Sequence, residues 1–278
     1  MPEILSTEKL LSHPEVVRII DKVNPEFIER TAYRPPVCDV YKAPATELVD
    51  DDTYGFEIDR EAQAQLPDII ENKVQRIVVK TDPGGNAETD YTRKRTIGIV
   101  FSGGPAPGGH NVIAGIYDAA KKANPKSVVL GFLMGPDGII ENEVMEITKE
   151  VVDAHRNLGG FTMIKTGRTK IDTTEKMALS RENCRKLNLD ALVVVGGDDS
   201  NTNAAFLAQE MASDGIQVIG VPKTIDGDIQ VRDAKGEVLC AMSFGFHTAA
   251  RAFANAIGNL CTDSHSDVKY WHICKVMG

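Results

Sequence analysis

The 278-residue sequence lacks the features of membrane and secreted proteins. None of its apolar runs reaches the ~18 residues that a membrane-spanning helix needs. Its N-terminus has neither the basic nor the apolar segment of a signal peptide. Its five cysteines form no Cys-x-x-Cys pair, which is typical of a reduced protein without a disulfide framework. We therefore expect a cytoplasmic localisation and no membrane partner.

An excess of positive charge is also absent. The sequence has 31 Lys and Arg against 40 Asp and Glu, a formal net charge of −9. Nucleic acids and anionic membranes are bound through basic patches, so we expect neither as a partner. A small anionic ligand remains compatible with this charge, because a few cations and a helix N-terminus suffice to hold a phosphate.

The usual nucleotide-binding fingerprints are missing as well. The segment from Ser102 to His110 reads Ser-Gly-Gly-Pro-Ala-Pro-Gly-Gly-His, which is neither Gly-x-Gly-x-x-Gly nor a P-loop. It nevertheless follows an apolar strand and precedes a predicted helix, the setting in which backbone N–H groups cradle an anion. The alternative interpretation is a tight strand-to-helix turn.

From residue 96 onward, short apolar segments alternate with segments typical of helices. The predicted strands are 97–101, 128–133, 191–195, 217–221 and 270–276. The predicted helices are 110–123, 144–156, 173–187, 202–211 and 246–260. We expect Ser200 or Asn201 to cap the helix that begins near residue 202. This alternation predicts an α/β fold, a Rossmann-like three-layer arrangement around a mostly parallel sheet.

The first 90 residues have a different pattern. Two helices are predicted before residue 24, followed by a proline-rich extended stretch over residues 33–44. A short strand over residues 76–80 and a loop over residues 82–86 come next. We therefore expect an N-terminal extension over residues 1–90 and a phosphate-donor-binding α/β domain over residues 91–278.

Two adjacent carboxylates follow the strand predicted over residues 191–195. This strand leads into Gly-Gly-Asp-Asp, so Asp198 and Asp199 lie at its carboxyl end, where open α/β sheets bind ligands. They could serve Mg²⁺, which takes one or two carboxylates together with substrate phosphates. They could equally supply the negative charge that a helix N-terminus favours. The residues alone leave both interpretations open.

A second polar loop, Pro-Lys-Thr-Ile-Asp-Gly-Asp, follows the strand predicted over residues 217–221. Its charged and hydroxyl residues are Lys223, Thr224, Asp226 and Asp228. A lysine is a point charge for phosphate, and an aspartate can take a proton from an attacking hydroxyl. Arg168, in Lys-Thr-Gly-Arg, is either a further phosphate ligand or a solvated surface residue. Cations, a glycine cradle and carboxylates together predict phosphoryl transfer.

Over about residues 95–278 these loops resemble those of the phosphofructokinases. Gly-Gly-Asp-Asp-Ser is similar to the family's donor-phosphate and Mg²⁺ loop, and Thr-Ile-Asp-Gly-Asp to its Thr-Ile-Asp-Asn-Asp catalytic loop. The segment Gly-Gly-Pro-Ala-Pro-Gly resembles the family's first phosphate loop, Gly-Gly-Asp-Ala-Pro-Gly. The resemblance implies Mg²⁺ as cofactor, a homo-oligomer in the full-length form, and an oligomer that often completes its active sites across subunits.

The resemblance also implies roles for single residues. Asp226 would be the base on the 1-hydroxyl of fructose 6-phosphate, Asp198 would serve Mg²⁺, and Arg168 would contact the transferring phosphate. The implied substrate-binding residues are Gly103, Gly104, Thr224, Asp228, Met277 and Gly278.

Two residues depart from the ATP-dependent members of the family. Asp199 and Lys223 stand where those enzymes have glycine. A carboxylate at the first position would crowd and repel the α-phosphate of a nucleotide, and a lysine at the second would reach a pyrophosphate. The combination resembles the long-chain pyrophosphate-dependent phosphofructokinases. It implies reversible phosphoryl transfer from pyrophosphate to fructose 6-phosphate, giving fructose 1,6-bisphosphate, in glycolysis.

Other functions stay open at this point. An ATP-dependent 6-phosphofructokinase and a non-catalytic regulatory subunit are the alternatives within the family. NAD kinases and lipid kinases share the Gly-Gly-Asp loop, but they lack the Pro-Lys-Thr-Ile-Asp-Gly-Asp loop. The last residues, Val-Met-Gly, resemble the start of the family's Met-Gly-Arg motif. We therefore expect a fragment that lacks most of the sugar-phosphate pocket and is inactive by itself.

Overall fold

The computed structural model of the protein describes residues 25–43, 45–55, 60–80, 92–266 and 271–276. Some predictions lie outside these residues: the two helices before residue 24, the loop over residues 82–86, and the positions of Met277 and Gly278. Within the described ranges, no helix is both long enough and apolar enough to cross a bilayer.

The N-terminal residues form short helices and a two-stranded sheet. Their elements are α1 (Pro25–Ala32), α2 (Asp39–Lys42), β1 (Thr46–Asp50), α3 (Arg60–Gln65) and β2 (Gln75–Val79). β1 and β2 pair antiparallel, which confirms the strand predicted near residues 76–80. The stretch predicted as extended is interrupted by α2. Lys122 donates hydrogen bonds to the carbonyl oxygens of Tyr41 and Ala43 at 2.8 and 3.1 Å, so this stretch is attached to the rest of the chain.

A five-stranded sheet forms the centre of the molecule, in the order β5-β4-β3-β6-β7. Its strands are β3 (Thr96–Ser102), β4 (Val128–Phe132), β5 (Val144–Glu146), β6 (Ala191–Gly196) and β7 (Gln217–Pro222). All neighbours pair in parallel except β4 and β5. The α/β fold with a mostly parallel sheet is therefore confirmed.

Helices cover both faces of this sheet. They are α4 (Gly109–Ala123), α5 (Pro136–Glu141), α6 (Lys149–His155), α7 (Thr174–Lys186) and α8 (Asp198–Met211). A further helix, α9 (Phe246–Ser264), follows in the chain and contributes no residue to the two hydrophobic clusters of the described residues. Side chains alternate along a strand, so Ile99 and Phe101 pack with α4 and α6, whereas Val100 packs with α7 and α8. Two hydrophobic clusters on opposite faces of one sheet make up the three layers.

The region between β4 and α7 differs from the prediction of one helix over residues 144–156. The first three residues of the predicted helix form the edge strand β5 instead. α6 begins only after Thr148, whose side chain accepts a hydrogen bond from the Val151 N–H. The helix α5 was not predicted, because its Gly-Pro-Asp-Gly sequence is typical of a turn. Pro136 instead occupies the start of α5, where its missing N–H costs nothing.

The C-terminal part of the described chain also differs from the prediction. Residues 271–276 form neither helix nor strand, so the strand predicted over residues 270–276 is wrong for this range. Trp271 and Ile273 are 93% and 99% exposed, and without burial an apolar run has no reason to be extended. A small hairpin precedes α9 and pairs β8 (Val231–Arg232) with β9 (Val238–Cys240).

Phe101 offers a test of this packing. Its side chain is fully buried and stacks on Phe161 with ring centroids 4.0 Å apart. We expect Phe101→Ala to lower the free energy of unfolding by about 3–5 kcal/mol, because it removes buried area and leaves a cavity. Urea denaturation measures the change. Phe27→Ala, at a side chain that is 47% exposed, is the control and should change it by about 0.5 kcal/mol or less. Equal effects of both substitutions would contradict the assigned core.

His110 makes the stability dependent on pH. It is buried, and its Nε2 accepts a hydrogen bond from the Met163 N–H at 3.1 Å. Burial, and secondarily the neighbouring His155, lowers the pKa of His110 from 6.5 to about 4. The unfolded chain therefore takes up this proton at a higher pH than the folded chain, so the contribution is complete above pH 6.5 and lost as the pH falls towards 4. In urea denaturation at pH 7.5 and pH 5, His110→Gln should lose less stability on acidification than the unchanged protein. The same loss in both would show that His110 does not contribute.

Candidate functional site

Three loops meet at one edge of the central sheet. β3, β6 and β7 are neighbours in register, with Ser102 opposite Gly196 and Gly196 opposite Pro222. Each strand runs directly into a polar loop at its carboxyl end. In parallel sheets this is where ligands bind. The structure thus brings together the three loops that the sequence singled out.

The first loop is joined to the segment that carries Arg168. Gly103 has a φ of 87°, and its N–H donates a hydrogen bond to the Gly167 carbonyl oxygen at 2.8 Å. The Thr166 hydroxyl donates to the Gly103 carbonyl oxygen, also at 2.8 Å. A methyl group added at Gly104 would lie 3.5 Å from Nη2 of Arg168. The Arg168 guanidinium is therefore held beside the glycines of the first loop.

Lys223 reaches the same loop. A methyl group added at Gly103 would lie 3.9 Å from the Lys223 Nζ. Its side chain is buried, and no carboxylate of the described residues lies within 4.0 Å of its ammonium. Burial, followed by the charge of Arg168, lowers the pKa of Lys223, while Asp226 and Asp228 act in the opposite direction. A buried cation beside a second cation is stabilised by an anion, so the pair favours an anionic ligand.

The loop after β7 is held by hydroxyl groups. The Thr224 hydroxyl donates to Oδ1 of Asp228 at 2.6 Å and accepts from the Asp226 N–H at 3.1 Å. Ser243 Oγ accepts from the Thr224 N–H at 2.5 Å and donates to the Thr224 carbonyl oxygen at 2.8 Å. Gly227 has a φ of 74°, which lets the chain turn there. Asp226 is left exposed to a ligand at the tip of the loop.

The two carboxylates after β6 lie on a helix rather than before one. α8 begins at Asp198, so Asp198 and Asp199 are in its first turn, where negative charge is favourable. The prediction that Ser200 or Asn201 caps a helix from residue 202 is wrong. Gly197 is the capping position, Asn201 Nδ2 donates to the Gly196 and Gly197 carbonyl oxygens, and Ser200 Oγ donates to Ser102 Oγ at 2.8 Å.

A cavity of about 790 Å³ lies beside these loops. It is lined by the start of the first loop, by the segment from Arg168 into α7, and by α8, including Ser102, Gly103, Arg168, Lys170, Asp199 and Ser200. Within it, Asp199 Oδ2 lies 3.0 Å from the Lys170 Nζ. Asp198 is not part of the lining but is exposed on the same helix turn. The cavity is large enough for a small phosphate compound.

The described site residues thus fall into three groups around one sheet edge, and one of these is Asp198 with Asp199 in the first turn of α8. Gly103, Gly104, Arg168 and Lys223 form a cationic cradle, while Thr224, Asp226 and Asp228 share the adjoining loop. Two contributors were missed: Lys170 on the cavity wall, and Ser243 behind Thr224. Lys170 follows Arg168 by two residues, a spacing that an extended segment places on one side. Ser243 is nineteen residues from Thr224 in sequence, and no pattern links them.

Comparison with known proteins identifies one family. A family model described as Phosphofructokinase matches residues 96–278. The pyrophosphate–fructose 6-phosphate 1-phosphotransferase of Porphyromonas gingivalis is 52% identical over 198 residues, which cover 70% of this chain and 35% of that protein. The protein of the same name from Entamoeba histolytica is 44% identical over 218 residues, covering 78% of this chain and 38% of that one. The chain spans about a third of the length of these relatives.

Solved structures show the same fold. The pyrophosphate-dependent phosphofructokinase from Marinobacter aquaeolei superposes with a TM-score of 0.52 at 22% identity, covering 62% of this chain and 42% of that one. The corresponding structure from Nitrosospira multiformis gives a TM-score of 0.51 at 21% identity, covering 63% and 44%. At this level of identity the likeness concerns the fold alone.

The buried ammonium of Lys223 leads to a prediction that separates binding from stability. Lys223→Met replaces a desolvated charge with an apolar chain of similar length, so the free energy of unfolding should stay within about 1 kcal/mol or rise. Binding of inorganic phosphate, measured by calorimetry, should fall at least about tenfold because a charge-assisted contact is lost. Lys186→Met, which removes an exposed lysine paired with Glu182, should leave phosphate binding unchanged. Strong destabilisation with intact phosphate binding would contradict the anion site.

Proposed function

The chain belongs to the phosphofructokinase family, and we propose that its site binds pyrophosphate as the phosphoryl donor to the 1-hydroxyl of fructose 6-phosphate. The product is fructose 1,6-bisphosphate, and the reaction is reversible and glycolytic. The observation that carries this proposal is the joint placement of two cations on the first glycine loop and of Asp199 on the wall of the adjoining cavity. We further propose a cytoplasmic protein that forms a homo-oligomer in its full-length form, with residues 1–90 as an N-terminal extension to the α/β domain.

The charge arrangement supports pyrophosphate over ATP. Pyrophosphate is a compact anion, and Lys223 and Arg168 present two positive charges within reach of one glycine loop. A nucleotide would extend along the cavity past Asp199, whose side chain would occupy the path of its α-phosphate. The printed names of the similar proteins from Porphyromonas gingivalis and Entamoeba histolytica specify pyrophosphate.

Mg²⁺ fits the residues beside this cavity. The Asp198 carboxylate is exposed in the first turn of α8, and no cation of the described residues lies within 4.0 Å of it. Mg²⁺ takes one or two carboxylates together with substrate phosphates, so one exposed carboxylate beside a phosphate site suits it. Asp198 would hold the ion, which would neutralise phosphate charge when bound.

The remaining chemistry falls to the side chains of the chain. Asp226 would accept the proton of the sugar's 1-hydroxyl group. The hydroxyl oxygen would form a bond to the transferred phosphorus while the bond from that phosphorus to the leaving phosphate breaks. Thr224, fixed by Asp228 and Ser243, would keep the loop in place. Lys223 and Arg168 would stabilise the charge on the transferred phosphoryl group. In the reverse direction Asp226 would return the proton. Gly103, Gly104, Met277 and Gly278 remain predicted substrate contacts.

Two alternatives within the family lead to different measurements. An ATP-dependent 6-phosphofructokinase would bind ATP more tightly than pyrophosphate. A non-catalytic regulatory subunit would bind anions without turnover. The exposed Asp226 beside Lys223 favours the catalytic function, because a regulatory site has no need of a base there.

Donor choice is tested by calorimetry with pyrophosphate and ATP in the presence of Mg²⁺. The unchanged chain should bind pyrophosphate at least about tenfold more tightly than ATP, a difference of about 1.4 kcal/mol. Asp199→Gly with Lys223→Gly should weaken pyrophosphate binding by at least about tenfold and improve ATP binding, because it removes both the side chain in the path of the nucleotide and the extra cation.

Asp39→Gly with Lys42→Gly is the matched control, since it removes one exposed ion pair of the same charges from α2. It should leave both affinities unchanged. Unimproved ATP binding together with unchanged pyrophosphate binding in the Asp199, Lys223 double variant would rule out this account of donor choice.

A further inference from the structure

Lys170 and Asp199 form an ion pair on the wall of the cavity beside the three loops, which is the proposed donor cavity. The two atoms, Nζ and Oδ2, are 3.0 Å apart, and both residues line the cavity. Lys170 comes from the extended segment after Arg168, and Asp199 from the first turn of α8. The pair therefore joins the two elements that bound the cavity.

The backbone on both sides of Lys170 is fixed. The Thr169 hydroxyl donates to Oδ2 of Asp137 at 2.8 Å. On the other side, the Ile171 N–H donates to Oδ1 of Asn203 at 3.1 Å, and Asn203 Nδ2 donates to the Ile171 carbonyl oxygen at 2.7 Å. The Ile171 side chain is 1% exposed, which adds an apolar anchor. Lys170 thus extends from a segment that cannot shift without breaking buried contacts.

Two side chains of α8 contact two consecutive residues of the Lys170 segment. Asp199 and Asn203 are four residues apart and share one face of α8. Asn203 holds the backbone of Ile171, and Asp199 holds the ammonium of the preceding residue, Lys170. One face of α8 therefore sets the position of the whole segment relative to the cavity.

Charge gives this pair a role in ligand binding. An unpaired Asp199 carboxylate would repel any phosphate compound in the cavity, pyrophosphate included. The hydrogen bond with Asp199, and then its charge, raises the pKa of Lys170, so the ammonium keeps its proton at neutral pH. Both side chains are largely exposed, and exposed pairs add little to stability. Their effect should therefore appear in affinity rather than in the melting temperature.

We propose that Lys170 is a positioning residue that neutralises Asp199 and fixes its side chain in the cavity wall, so that pyrophosphate can bind beside an acidic side chain without being repelled by it. This inference rests on the proposed function, since it takes pyrophosphate as the occupant. Asp199 then acts against nucleotides mainly through its place in the cavity, and Lys170 removes the penalty that its charge would impose on the smaller donor.

A double-mutant cycle tests this role. Pyrophosphate binding in the presence of Mg²⁺ is measured by calorimetry for the unchanged chain, Lys170→Gln, Asp199→Asn and the double variant. Lys170→Gln should weaken binding about tenfold or more, because it leaves Asp199 uncompensated. The double variant should return to within about threefold of the unchanged chain, since the charge that needed compensation is gone. Lys170→Arg should bind like the unchanged chain.

Two controls accompany the cycle. Lys186→Gln removes an equivalent charge from an exposed pair outside the cavity, with Nζ and the Glu182 Oε1 2.7 Å apart, and should not change affinity. Melting temperatures of all variants should agree within about 2 °C, which separates affinity from folding.

The outcomes distinguish this inference from the function on which it rests. If Lys170→Gln has no effect, or weakens binding by the same factor with and without Asp199, Lys170 is a solvated residue or a direct phosphate ligand, and the inference is wrong while the proposed function stands. If the unchanged chain does not bind pyrophosphate, the proposed function fails and the inference fails with it.

Discussion

The arrangement of the site depends on the repulsion between two cations that share one glycine loop. Lys223 lies beside Gly103, is buried and has no carboxylate partner within 4.0 Å among the described residues, and the Arg168 guanidinium lies beside the next glycine, Gly104. Burial removes most of the water around the Lys223 ammonium, and this loss of hydration costs free energy. The folded chain therefore carries an unfavourable charge arrangement that an anion would relieve, and the neighbouring hydrogen bonds keep both cations in place.

The sheet supplies the rigidity for this arrangement. Each cation sits on a segment tied to a strand end: Lys223 through its N–H to the Gly196 carbonyl oxygen at 2.8 Å, and Arg168 through the contacts of Gly167 with Gly103. Because β3, β6 and β7 pair in parallel register, one displacement would have to break several ladder hydrogen bonds at once. α8 then adds the acidic side chains on the opposite wall, so charges of both signs surround the cavity.

The sequence was a good guide to the strands and to the loops that follow them. Apolar runs such as Val193–Val195 end at glycines, and parallel strands bring such ends together whatever the details of the helices. Local patterns were a poor guide where a tertiary contact decides the outcome. α8 starts at Asp198 because Gly197 serves as its cap, whereas Ser200 is engaged by Ser102 ninety-eight residues away. The short strand β5 exists because it pairs with the edge of β4.

The same reasoning explains what was missed in the site. The sequence placed Lys223, Asp226 and Asp199 near one another, since each directly follows a strand. It could not place Ser243 behind Thr224, or Lys170 against Asp199, because those contacts join segments that no local pattern relates. Side chains that position others are harder to recognise from sequence than side chains that lie at strand ends.

The most direct test of the central claim is the titration of the Lys223 ammonium by nuclear magnetic resonance, with and without pyrophosphate. If burial and the nearby Arg168 destabilise the Lys223 ammonium, the pKa of Lys223 lies below its usual value in the free protein. The pKa then rises when pyrophosphate binds, because the anion stabilises the ammonium. An ordinary pKa in the free protein that does not respond to pyrophosphate would contradict the account.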